Sequence, residues 1–148
     1  MACRIAHSRL ARRGNAVLEA AFVFPVLLAF VFGSVEFGMY FYTKHALQVA
    51  SREGARTAII SGASSNQITS AVEASMTASG YSRATNPSLY TIEYLNAAGT
   101  AAIDPANATA GTGLMVRVSA NWGTVGVRPM GLIGTGKTVV GQTVMRKE

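Results

Sequence analysis

One stretch constrains this chain more than any other. From Ala20 to Val35 sixteen residues carry no charge, and from Ala20 to Thr43 twenty-four residues carry a single carboxylate, Glu36. As a helix rising about 1.5 Å per residue, the longer segment covers roughly 36 Å, enough to cross a bilayer core of about 30 Å. Its flanks agree. Arg4, Arg9, Arg12 and Arg13 precede it with no acid among them, and Tyr40, Phe41, Tyr42 and Lys44 close it. Aromatic rings and a lysine suit the membrane–water interface, and the arginine excess predicts a cytoplasmic N-terminus by the positive-inside rule. The remainder is then expected outside. A cleaved secretory signal shares the basic start, but its apolar core is shorter and ends at a small-x-small site. Here the core is longer and ends in bulky aromatics.

The other charges narrow the function classes. The formal net charge is +6, but beyond the first fourteen residues nine Lys/Arg face seven Asp/Glu, so the basic excess is mostly an N-terminal patch. A scattered remainder of that kind gives no reason to expect nucleic acid as a partner. Cys3 is the sole cysteine, which excludes an internal disulfide and a multi-cysteine zinc site. His7 and His45 lack the spacing of metal or triad partners. The carboxylates up to Glu73 stand at least sixteen residues apart, so no local pair proposes acid–base chemistry. Neither a metal nor a cofactor is expected, and the chain reads as a non-enzyme.

One motif argues otherwise. GLIGTGKT, Gly131 to Thr138, fits the phosphate-loop pattern G-x-x-x-x-G-K-[ST] at every position. A phosphate loop follows a buried strand and opens a helix whose N-terminus holds the phosphates. The preceding GTVGVRPM is interrupted by Gly123, Gly126 and Pro129, and the following TVVGQTVMRKE is β-branched with a central glycine. That favours a strand over a helix. The stretch is therefore expected to be a glycine-rich connector entering the last strand, with Lys137 as a solvated edge charge and no nucleotide bound.

Glu19 is costly at the entry of an apolar segment unless it is paired. A chain cut between Gly14 and Asn15 would carry a new α-amino group four residues upstream, one helical turn away on the same face. The macrodipole also favours a carboxylate there. Pro25 removes the helical partner of the Ala21 carbonyl, which gives either an ordinary kink or a point where the helix bends during packing. Glu36, near the outer boundary, is expected to reach toward water beside the aromatic rings.

Basic leader, glycine, four residues, glutamate and apolar helix together resemble the type III signal of type IV pilin-like proteins. The fuller strings GNAVLEAAFVFPVLLAFVFGSVEFG and QVASREGART resemble the TadE-like family of minor pseudopilins of tight-adherence (Tad) pili. The likeness is densest over Arg12 to Thr57. It implies that a prepilin peptidase cuts after Gly14 and that Asn15 becomes the mature N-terminus. Glu19 would then help dock neighbouring subunits, and Glu36 would be a contact with another subunit. The implied partners are the peptidase, other pilin or pseudopilin subunits, an inner-membrane assembly platform and the lipid bilayer. The implied location is the bacterial inner membrane, with the outer portion in the periplasm or carried into a surface pilus. The leader and span alone fit an uncut single-pass anchor with an outward binding domain equally well.

Outward of the span, Ala46, Ala50, Gly54, Ala58 and Gly62 form a ridge of small side chains four residues apart. Such a ridge lets the chain's own sheet or another helix approach closely. Arg52, Glu53 and Arg56 lie beside it, as a solvated face or a subunit-contact strip. Gly62 is the expected helix end and Asn66 the expected cap of a short helix over 67–79, with Ile68, Val72 and Met76 on one face. Strands are expected over Leu89 to Leu95, Leu114 to Trp122 and Thr138 to Met145. The eighteen residues from Asn96 to Gly113 read as a long structureless loop. The organisation expected is a leader (1–14), a transmembrane and assembly helix (15–43), its continuation (44–62) and a small outer domain (63–148). The fold class is α+β: one long N-terminal helix, a short second helix and an antiparallel sheet of about three strands packed on the long helix.

Overall fold

A computed structural model describes the backbone of residues 8–148 and side chains from residue 16 onward. Cys3, Arg4 and His7 lie outside the described residues, and so do the side chains around the expected cut at Gly14 and Asn15. The fold is α+β. Helix α1 (Ser8–Ala58) is followed by α2 (Ser65–Ala78), strands β1 (Thr91–Asn96) and β2 (Gly113–Asn121), a four-residue turn α3 (Trp122–Val125), and β3 (Thr138–Arg146). The sheet is antiparallel in the order β1-β2-β3.

The long helix has two halves with different surroundings. Over residues 16–32 it is almost wholly exposed and, apart from Glu19, apolar on every side. From residue 33 a buried stripe appears, through Gly33, Glu36, Thr43, Leu47, Ala50, Gly54 and Ala58. Their spacing by threes, fours and sevens keeps them on one face. That face meets the sheet and α2. Leu114, Val116, Val118 and Ala120 of β2 alternate inward and share a core with Leu47, Ala50, Ile68, Val72, Met76 and Val139.

Two glycines set how closely the layers approach. A Cβ on Gly54 would lie 2.6 Å from Val72 Cγ2 and 3.1 Å from Val116 Cγ1. The small-residue ridge therefore faces the chain's own α2 and β2. Gly141, opposite Val118 in the register, lets β3 cross α1 backbone to backbone at Leu47 and Gln48. Gln48 completes the crossing: its Nε2 donates to the Gln142 carbonyl at 3.0 Å, and its Oε1 accepts from the Gln142 amide at 3.4 Å. The edge strand thus finds hydrogen-bonding partners on the helix.

Several local expectations shift. Helix α1 ends at Ala58, and Gly62 turns the chain with φ +77°. The cap of α2 is Ser64, not Asn66. Its hydroxyl accepts from the Gln67 amide while the Gln67 side chain accepts from the Ser64 amide, a reciprocal capping box. Trp122 begins α3 instead of ending β2, although its ring is still fully buried. The segment after β1 is not structureless. Leu95 bridges Ala102, Ile103 donates to the Tyr94 carbonyl, and Gly111 and Thr112 bond the backbone of Lys147. The C-terminal residues fasten it: Lys147 Nζ donates to the Pro105 carbonyl and Arg146 Nε to that of Gly111.

Two phenols lie in this framework. Burial pushes the Tyr90 hydroxyl above its ordinary range, and Glu73 adds to the shift, while Arg83, 4.9 Å from the ring centre, opposes it. Burial also raises Tyr94, against its hydrogen bond with Thr69. A phenol raised on folding keeps its stabilising contribution below its unfolded value of about 10 and loses it as pH rises through the folded value. We expect Tyr90 and Tyr94 to ionise late in an alkaline absorbance titration of the full chain, and stability to fall over the same pH range. Replacing both by phenylalanine should remove the late phase, and a late phase that persists without them would contradict this.

Candidate functional site

The apolar half of α1 and its junction with the outer domain concentrate the features that bear on function. Val17, Phe22, Val26 and Phe30 are 70–74% exposed. In water such a surface is a large liability, so it marks a face made for lipid or for other apolar helices. The helix runs unbroken through Pro25. Phe22, Val23, Val26, Leu27 and Phe30 line a shallow, almost purely apolar groove there. Glu19 is exposed at the entry of this half.

Glu36 behaves differently from expectation. Its carboxylate does not reach water: the residue is fully buried. Oε1 accepts from the Ile133 amide at 2.7 Å and Oε2 from the Met130 amide at 3.2 Å. Leu132, between these donors, lies against Gly33, one turn nearer the N-terminus; a Cβ on Gly33 would sit 3.4 Å from Leu132 Cδ1. The carboxylate thus gathers a loop separated from it by more than ninety residues of sequence. Both contacts are internal to the chain, so a snorkelling carboxylate is corrected to a buried one held by backbone donors.

The same loop carries the phosphate-loop match. Gly131 supplies a positive φ of 67°. The stretch is preceded by the turn α3 and leads into β3 at Thr138, which is not the strand–loop–helix frame of a phosphate loop. Successive backbone amides in such a turn form a concave anion site, and here the anion is the chain's own Glu36. Lys137 is exposed, as expected of an edge charge.

Higher on the helix, Tyr40 turns inward. Its ring meets Trp122 edge-to-face with centroids 5.3 Å apart, while Phe41 and Tyr42 stay 63% and 49% exposed. The Thr43 hydroxyl lies 2.6 Å from that of Tyr81. The upper end of the expected span, from Glu36 to Thr43, is therefore covered on one side by the outer domain. Ala46, Ala50, Gly54 and Ala58 are buried within the chain. Arg52, Glu53 and Arg56 are exposed. Glu53 and Arg56 lie 3.7 Å apart, an exposed pair that contributes at most about 1 kcal/mol. Among the described residues no group of three or more His, Cys, Asp or Glu gathers to hold a metal.

Sequence reasoning missed the Glu36 loop. Its available signal was the glycine turn MGLI, Met130 to Ile133, whose backbone amides supply both donors.

The small α+β domain is built on one long helix, and α1 is long and apolar enough to cross a membrane. A family model described as TadE-like protein matches residues 14–56. The match falls on α1, the segment that carries the resemblance, and over it the chain is similar to Tad pilus-associated proteins. No curated protein and no solved structure matches the chain.

Proposed function

We propose that this protein is a structural minor pseudopilin of a Tad-type pilus. It enters the inner membrane with its N-terminus in the cytoplasm and is cut after Gly14 by a prepilin peptidase. The observation that carries this reading is the division of α1. Its upper half is consumed by the chain's own core, while residues 16–32 expose apolar side chains on every face. A helix of that kind needs lipid before assembly and other helices after it. The family match over residues 14–56 supports the same reading.

The mechanism is packing. Apolar helices associate through surfaces such as the Phe22–Phe30 groove, and Glu19 meets the positive N-terminus at Asn15 of its own chain or a neighbour's. Pro25 is the point where the helix adapts to that packing. The partners are the peptidase, sister pilin subunits and an inner-membrane assembly platform.

Intact-mass analysis of protein extracted from membranes that hold an active prepilin peptidase tests the proposal. The expected product begins at Asn15. A product retaining residues 1–14 would instead indicate an uncut single-pass anchor.

A further inference from the structure

We propose that the loop Val127–Ile133 is a second membrane contact, seated on the outer face of the bilayer that holds α1. The proposal rests on the membrane reading of α1 and adds a lipid-binding surface to it.

Four observations carry it. The first is position. Residues 16–35 of α1 are twenty residues, or roughly 30 Å of helix, which matches the hydrocarbon thickness of a bilayer. The loop is fastened to the next turn by the bonds from Met130 and Ile133 to Glu36, and Leu132 reaches down to Gly33. It therefore sits where the helix leaves the hydrocarbon.

The second is surface chemistry. Beyond the aromatic run 40–42, the exposed large apolar side chains among the described residues are Ile60, Val127, Met130, Leu132 and Val144. Three of these five fall within six consecutive residues of this one loop. Val127 is 53% exposed, Met130 43% and Leu132 55%. Their apolar surface is continuous with the exposed lower half of α1 through the contact at Gly33.

The third is charge. Arg128 is exposed within the loop and Lys137 close after it. The sequence from Pro105 to Lys147 contains no acid. Apolar tips flanked by cations fit the headgroup and acyl boundary of a bilayer containing anionic lipid.

The fourth is Glu36. A carboxylate at the hydrocarbon edge is expensive unless its oxygens are satisfied, and the loop's amides satisfy both. One contact thus places the loop at the interface and makes the acid tolerable there.

The test uses the full chain carrying Cys3→Ser, at low density in phosphatidylethanolamine–phosphatidylglycerol vesicles. Single cysteines are introduced by Val26→Cys, Met130→Cys, Leu132→Cys or Ala98→Cys, and each is labelled with an environment-sensitive fluorophore. Ala98 lies in the turn after β1, at the end of the sheet opposite the loop. An equimolar mixture of lipids bearing a nitroxide near the top of the acyl chain and lipids bearing one near its terminal methyl serves as quencher, so that both interfacial and mid-bilayer labels are reached. The label at position 26 should be quenched and that at 98 should not. Labels at 130 and 132 should show roughly half or more of the quenching at 26, as for side chains about 5–10 Å deep in the interface. Quenching at 26 with none at 130 and 132 overturns the loop contact and leaves the anchor standing. Absence of quenching at 26 overturns the anchor and the loop contact together.

Discussion

Gly141→Ala should lower the stability of the outer domain by roughly 3 kcal/mol or more, at the upper end of what overpacking a core costs. The methyl group would collide with the backbone of Leu47 and Gln48, where β3 crosses α1. A flexible side chain could move aside, but backbone inside a helix cannot. The strand would have to lift, losing the bonds between Gln48 and Gln142 and the 2.9 Å contact between the Ser51 and Thr143 hydroxyls. Denaturation of the full chain in detergent can be followed by fluorescence of Trp122, the sole tryptophan and fully buried. The matched control is Gly136→Ala, because a Cβ there meets nothing within 4 Å and Gly136 keeps an ordinary backbone angle. Equal denaturation midpoints for the two variants would refute the crossing as the reason for this glycine.

Glu36→Ala should release the loop that Glu36 gathers. Two backbone amides would lose a charged acceptor. The loss is local, because the core around Val116 and Val118 does not depend on the loop's amides. Hydrogen exchange of the Met130 and Ile133 amides reads it directly. Both should exchange tens of times faster or more, while the β2 amides keep most of their protection. Glu36→Gln keeps one acceptor oxygen and should fall between the two. Unchanged exchange at Met130 and Ile133 in the alanine variant would show that other contacts hold the loop.

These two residues also mark where sequence reasoning reaches and where it stops. The apolar run and the alternation of Leu114, Val116, Val118 and Ala120 make the long helix and the central strand legible, because period and composition are local properties. The glycine within TVVGQTV is visible as an interruption of a β-branched strand, but its reason lies in a backbone more than ninety positions away. Glu36 looks like an interfacial acid because its donors lie 94 and 97 residues downstream. No local pattern pairs a carboxylate with a turn at that distance. The phosphate-loop match points correctly to an anion-binding turn and wrongly to the anion. By contrast, the capping box of α2 was within reach: Ser64 and Gln67 stand in the S-x-x-Q spacing, and Asn66 draws attention only as a favourable residue type.

The crossing at Gly141 and the loop on Glu36 together have a mechanical meaning. They weld the outer domain to α1 at two heights, so the domain and the upper helix turn as a single lever. Below the weld, Pro25 is the point in the exposed half where a backbone hydrogen bond is missing. From Pro25 to Ala58 the arm is about 50 Å long, so a bend of about 10° at its pivot sweeps the far end through roughly 9 Å. On the membrane placement proposed for α1, a small bend at Pro25 would be magnified into a large change of reach outside the bilayer.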